Sequence, residues 1–123
     1  MAMAAVDFQL LANAGFPPAS FQPGEVIFAE GDKGDKMYVI RSGEIEIERG
    51  GKVVESLSSG GIFGEMALID GSPRAATARA KTPCEVAPNT EKTFLFLVHE
   101  TPFFAIAVMR TLADRLRRSG PQT

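Results

Sequence analysis

Residues 23–57, from Pro23 to Leu57, read PGEVIFAEGDKGDKMYVIRSGEIEIERGGKVVESL. Glycines break this stretch at Gly24, Gly31, Gly34, Gly43, Gly50 and Gly51, and the same rhythm continues to Gly60, Gly61 and Gly71, with short apolar runs between. Such spacing predicts strands joined by tight turns. Val26-Ile27-Phe28, Met37-Tyr38-Val39-Ile40, Ile45-Glu46-Ile47-Glu48 and Val53-Val54-Glu55-Ser56-Leu57 are rich in β-branched and aromatic residues, and the third alternates apolar with charged. An antiparallel barrel or sandwich is expected.

The period changes towards the C-terminal end. Phe104, Val108, Leu112 and Leu116 fall four apart with Met109 beside them, while Arg110, Asp114, Arg117 and Arg118 lie largely elsewhere, which predicts an amphipathic helix. Thr101 and Pro102 mark its start, and Arg117-Arg118 before Gly120-Pro121 mark its end. Shorter helices are expected at about Thr90 to Val98 and near Asp7 to Asn13. The class is α+β: one domain over 1–123, with a barrel over about 18–89 and C-terminal helices over about 90–98 and 102–119.

Charge and length exclude several functions. With 13 Lys plus Arg against 15 Asp plus Glu, the net charge of −2 gives no general pull towards nucleic acid or an anionic membrane, so an anion site must be local. Cys84 is the only cysteine, so no disulfide forms within the chain and a cytoplasmic setting is expected. Met1 to Val6 is apolar but lacks a basic leader and is broken at Asp7, and no membrane segment is expected.

The chemistry concentrates in Gly60-Gly61-Ile62-Phe63-Gly64-Glu65-Met66-Ala67-Leu68-Ile69-Asp70-Gly71-Ser72-Pro73-Arg74-Ala75-Ala76-Thr77. Glu65 to Ile69 make little more than one helical turn, and Gly64 at their head has no Cβ to keep a ligand from the free backbone N–H groups. Such an end favours phosphate. Glu65 would repel a phosphate facing it directly, so its carboxylate is better used accepting hydrogen bonds from sugar hydroxyls. Arg74 supplies the positive charge, Gly71 and Pro73 turn the chain back, and Ala75-Ala76 leave the following N–H groups uncrowded. One arginine, one helix terminus and one carboxylate suit a phosphodiester monoanion joined to a ribose, whereas a triphosphate would want a P-loop lysine and a metal site, neither of which the sequence carries. Taken singly, the glycines read as a loop, Glu65 as a helix-dipole partner and Arg74 as a surface ion pair. Their combination within ten residues makes a site.

Phe63-Gly64-Glu65-Met66-Ala67-Leu68 followed by Pro73-Arg74-Ala75-Ala76-Thr77 resembles the phosphate-binding cassette of cyclic-nucleotide-binding domains. Pro23-Gly24-Glu25-Val26-Ile27-Phe28, Glu30-Gly31-Asp32 and Met37 to Gly43 resemble that family's strands and turns in the same order, and Leu112 to Leu116 its closing helix. The resemblance runs from about Phe21 to Arg118. It implies an antiparallel jelly-roll barrel (a double-stranded β-helix) with a short N-terminal helix, a short phosphate-binding helix and two C-terminal helices, as in kinase regulatory subunits, gated channels and catabolite-activator-type regulators.

The resemblance further implies that Glu65 binds the ribose 2′-hydroxyl and Arg74 the cyclic phosphate, with backbone N–H groups of Gly64, Ala67 and Ala75 assisting and Phe63, Met66 and Ala76 completing the ligand-binding set. Relatives selective for cyclic GMP often carry Thr where Ala75 stands, so cyclic AMP is the expected ligand and cyclic GMP a weaker one. The last helix of the family closes over the base, which makes Leu112, Arg115 and Leu116 lid candidates. Pro88, in Val86-Ala87-Pro88-Asn89, departs from the family's continuous strand, and a shortened edge strand is expected there because proline donates no ladder hydrogen bond.

Cys84 reads as a buried structural thiol, His99 as a solitary histidine without metal-ligand partners, and Phe94, Leu97 and Val98 as core. No catalytic residue, metal or cofactor beyond the nucleotide is expected, because cyclic phosphodiesterases rely on metals that a lone histidine does not hold. The expected function is a non-catalytic sensor whose final helix moves on binding. The alternative is a barrel of this family that serves as a protein-interaction module without ligand. A protein partner or a second copy would use the C-terminal helix, and no segment to read DNA is expected.

Overall fold

Each glycine-bounded apolar run of residues 23–57 forms a strand in the computed structural model, which describes residues 17–119. The strands are β1 (Ala19–Phe21), β2 (Val26–Phe28), β3 (Lys36–Ser42), β4 (Ile45–Arg49), β5 (Lys52–Leu57), β6 (Ile62–Phe63), β7 (Thr77–Ala80) and β8 (Cys84–Thr90). The helices are α1 (Glu65–Asp70), α2 (Glu91–Glu100) and α3 (Pro102–Ser119). The N-terminal helix expected near Asp7 to Asn13 lies outside the described residues. Those residues divide into two compact units, 17–93 and 94–119.

The first unit holds two four-stranded antiparallel sheets, ordered β1-β8-β3-β6 and β2-β7-β4-β5, the jelly-roll arrangement expected. Ile45 pairs with Leu57 and Ala80, and Val39 with Ile62 and Ala87, so each sheet is stitched from strands far apart in sequence. Ile40, Phe63, Cys84 and Val86 from one sheet meet Ile45, Ala78 and Ala80 from the other in a buried cluster. Full burial of each large member stabilises the fold by about 1.5–3 kcal/mol. Cys84 is buried there as a free thiol, as its alternating setting suggested.

The expectation of a shortened strand at Pro88 is overturned. Strand β8 runs unbroken for seven residues and pairs with β3 from Lys36↔Thr90 to Ser42↔Glu85, with Pro88 opposite Tyr38. On its other side β8 pairs with β1 only at Val86, Glu85 and Cys84. Pro88 therefore stands beyond the β1 ladder, in a stretch flanked by a single described strand, which is the setting where a sheet tolerates a residue without an N–H.

Thr90 Oγ1 accepts a hydrogen bond from the Thr93 N–H at 3.3 Å, a serine/threonine-type cap that starts α2 at Glu91. This helix extends past Val98 to Glu100, where the Thr101 N–H closes on the Leu97 carbonyl at 2.8 Å. Helix α3 begins at Pro102 as its sequence signals predicted. In the second unit Phe94 meets Phe104 edge-on at 5.2 Å, and Leu97, Phe104, Ala107 and Val108 are buried. The expected apolar stripe holds only in part: Leu112 is half-buried, while Met109 and Leu116 are exposed, because burial fades towards the end of the helix where the charged residues crowd. No single helix among the described residues is long and apolar enough to cross a membrane.

Candidate functional site

Strand β6 is only Ile62–Phe63, yet both side chains are buried and pair with Val39 and Tyr38, which fixes where the chain leaves the sheet. Gly64 then takes φ 79°, ψ 9°, a left-handed conformation costly for any residue with a Cβ. A Cβ there would also stand 2.8 Å from Arg74 Nη1. The turn swings the chain into α1, whose first N–H groups receive no side-chain cap. The helix ends where the Gly71 N–H bonds to the Ala67 carbonyl at 2.9 Å.

Asp70 folds the next turn by accepting hydrogen bonds from the Ser72 N–H at 2.9 Å and the Ser72 hydroxyl at 2.6 Å, and these hold its carboxyl below the usual range. The chain then delivers Arg74 against the turn that follows β2. The Arg74 N–H donates to the Asp32 carbonyl at 2.7 Å, and the Gly31 N–H donates to the Arg74 carbonyl at 2.8 Å. Its backbone is thus clamped in both directions.

The Arg74 side chain is 6% exposed. Nη1 donates to the Gly64 carbonyl at 2.9 Å and Nη2 to the Lys36 carbonyl at 2.8 Å, while Cζ stands 4.0 Å from the centre of the Phe28 ring. Phe28, Tyr38 and Phe63 form one aromatic group with ring centres 5.1 to 5.9 Å apart, so the cation rests on a wall that also belongs to the core. Buried Nε has no hydrogen-bond partner. Burial pulls the guanidinium below its ordinary range, and Tyr38, Asp35, Asp32 and Glu65 pull it back up. Arginine stays protonated throughout, so the group is a fixed cation.

Glu65, at the head of α1, is 3% exposed and couples electrostatically to Arg74, so the two charged residues singled out by the sequence share one buried region. Neither is the solvated surface charge that each suggests in isolation. Ala67 and Ala76 are buried, whereas Met66 and Ala75 are exposed. The Phe63 side chain lies in the core cluster. Leu112, Arg115 and Leu116 lie on α3 in the second unit. Four neighbours of Arg74 carried no chemical signal in the sequence: Phe28, Gly34, the Lys36 carbonyl and Tyr38. Arg49 Nε also reaches the Ala75 carbonyl at 3.4 Å.

Among the described residues no cluster of three or more His, Cys, Asp or Glu could hold a metal. His99 is exposed and contacts its neighbour Glu100 at 3.2 Å. Glu65 at the head of a glycine-led helical turn and Arg74 in the loop beyond its end are both buried, and the family model described as the cyclic nucleotide-binding domain matches residues 18–101. This chain belongs to the cyclic nucleotide-binding domain family.

A cAMP-dependent protein kinase regulatory subunit of Emericella nidulans is 49% identical over 69 residues, covering 54% of this chain and 17% of that protein. The chain thus spans less than a fifth of that relative. Among solved structures, the catabolite activator protein of Thermus thermophilus aligns with a TM-score of 0.80 at 30% identity, covering 94% of this chain and 57% of its own. The EAL enzyme Bd1971 aligns in its cGMP-bound form with a TM-score of 0.67 at 35% identity, over 83% of this chain and 28% of that one. Its cAMP-bound form gives a TM-score of 0.63 at 34% identity, over 82% and 28%. These likenesses make the chain a cyclic-nucleotide-binding module related to kinase regulatory subunits.

Proposed function

We propose that this chain is a non-catalytic, cytoplasmic sensor domain that binds 3′,5′-cyclic AMP, and cyclic GMP more weakly, at the cassette from Phe63 to Ala76. The observation that carries this reading is Arg74: a buried cation with two donors engaged by carbonyls and Nε still unserved, beside the buried Glu65. Arg74 takes the cyclic phosphate, Glu65 the ribose 2′-hydroxyl, and the N–H groups of Gly64, Ala67 and Ala75 assist. One fixed positive charge suits a phosphodiester monoanion. The exposed Ala75 methyl group offers no hydroxyl to a guanine, which supports cyclic AMP as the preferred base.

Residues 1–123 act as one domain in this reading, with α3 as the responding element and Leu112, Arg115 and Leu116 as its lid residues. The hinge lies around Val98 to Pro102, and the free energy for movement comes from tighter ligand binding in one state than in the other. Leu95, Phe96, Phe103, Ile106 and Met109 are exposed on α2 and α3, an apolar set that favours relay through a protein partner or a second copy.

Calorimetric titration with cyclic AMP, cyclic GMP and the open-ring control 5′-AMP tests the ligand. Binding of cyclic AMP ahead of cyclic GMP, with none of 5′-AMP, is the expected result. Binding of neither cyclic nucleotide by folded, ligand-stripped protein would sink the sensor and favour the interaction module. Hydrogen exchange over residues 90–118 tests the relay, and unchanged exchange on binding would remove α3 from the mechanism.

A further inference from the structure

Gly34 lies in the turn between β2 and β3, two residues before the Lys36 carbonyl that anchors Arg74. Its φ is not positive, so the backbone conformation there is open to residues with a side chain. Space alone excludes one. A Cβ on Gly34 would stand 2.6 Å from Arg74 Cζ, nearer still to Nε, and 2.8 Å from the Ala67 methyl carbon. Non-bonded carbons settle at about 3.5–4.0 Å, so these contacts are strongly repulsive.

The atoms it would meet have little freedom to retreat. The guanidinium is tied at Nη1 to Gly64 and at Nη2 to Lys36, and Phe28 stands 4.0 Å from Cζ. The Arg74 backbone is held on both sides by the 31–32 turn, and Ala67 is fixed in α1. Gly64 also borders the guanidinium, but its left-handed φ makes any substitution there a mixture of strain and clash.

We propose that Gly34 is a positioning residue of the nucleotide site: by lacking a side chain it leaves the slot in which the Arg74 guanidinium is held for the phosphate. This rests on the assignment of Arg74 to the cyclic phosphate. Gly34→Ala displaces the guanidinium from its two carbonyls while leaving its charge in place. The expected loss in cyclic AMP affinity is about tenfold, the equivalent of one charge-assisted hydrogen bond.

The test is a double-mutant cycle over the full chain: wild type, Gly34→Ala, Arg74→Ala and the pair, each followed by urea unfolding without ligand and by calorimetry with cyclic AMP. Gly34→Ala should lower the unfolding midpoint and the affinity beside Arg74, and should cost clearly less in the Arg74→Ala background, where the guanidinium is gone and only the Ala67 methyl group remains in the way. Equal effects in both backgrounds, or none in either, overturn the proposal. Unfolding needs no ligand, so the slot is tested even if cyclic AMP does not bind, a failure that would fall on the sensor reading alone. Should Arg74→Ala not fold, the same cycle with Ala67→Gly serves: a smaller cost of Gly34→Ala beside Ala67→Gly supports the slot, and an undiminished cost overturns it.

Discussion

Arg74→Ala should damage the protein before any ligand is added. Its guanidinium makes two hydrogen bonds to carbonyls, one on the exit of β6 and one on β3, and each such charged bond contributes about 1.5–3 kcal/mol. The Phe28 face adds about 0.5–2 kcal/mol. Removing the side chain also releases the cost of burying a cation, so the net loss of stability should be about 2–4 kcal/mol. With a urea slope of about 1–3 kcal/mol/M, the midpoint should fall by roughly 1–3 M. Loss of the phosphate contact should then weaken cyclic AMP binding by a further 1.5–3 kcal/mol or so, roughly ten- to a hundredfold in Kd. Arg74→Lys keeps the charge but presents a compact ammonium in place of a planar fork, and should recover only part of either loss. An unchanged urea midpoint for Arg74→Ala, with affinity reduced, would refute the reasoning that this residue cross-links β3 to the head of α1.

Two further outcomes are expected. Ala75→Thr should raise the affinity for cyclic GMP relative to cyclic AMP, because a hydroxyl at this exposed position can meet a guanine; calorimetry with both ligands checks it, and an unmoved ratio would detach Ala75 from base selection. Burial raises the Cys84 thiol above its ordinary 9.0, with Glu25 adding to the rise. Above that pH the unfolded thiol ionises while the folded one stays neutral, so the unfolded chain binds fewer protons and stability falls as pH rises, by at most about 1.4 kcal/mol per pH unit. In Cys84→Ala this contribution should vanish, and parallel urea midpoints for the two proteins from pH 8 to 10.5 would refute it.

Strands β2 to β5 were legible because apolar runs, alternation and glycine breaks all act over a few neighbouring residues. Strands β1 and β6, three and two residues long, are too short to show a period and exist only through pairing with β8 and β3. Pro88 misled for the opposite reason: its missing N–H is a local fact, but its cost depends on whether a second strand lies alongside, which only the register of β1 decides. On α3, spacing indicated which residues share a face but not how far burial extends, so Phe104 and Val108 are buried and Leu116 is not.

The site divides in the same way. Glu65 and Arg74 stand out in sequence because charges in a glycine- and alanine-rich stretch need an explanation. What turns Arg74 from a surface charge into a fixed one comes from 38 to 46 residues away, through the Lys36 carbonyl, Gly34 and Phe28. None of them acts through a group that suggests phosphate chemistry: one offers a backbone oxygen, one an absent methyl group and one an aromatic face. Yet they decide whether the cation is pre-set. A free surface arginine must lose rotamer freedom when it meets an anion, whereas this one has lost it on folding, so more of its attraction is left for the ligand. The same burial carries a penalty that the two carbonyls and the nearby acidic groups offset only in part, since the guanidinium is still drawn below its ordinary range. An anion arriving at the cassette adds the missing negative charge, so binding and local stability should rise together.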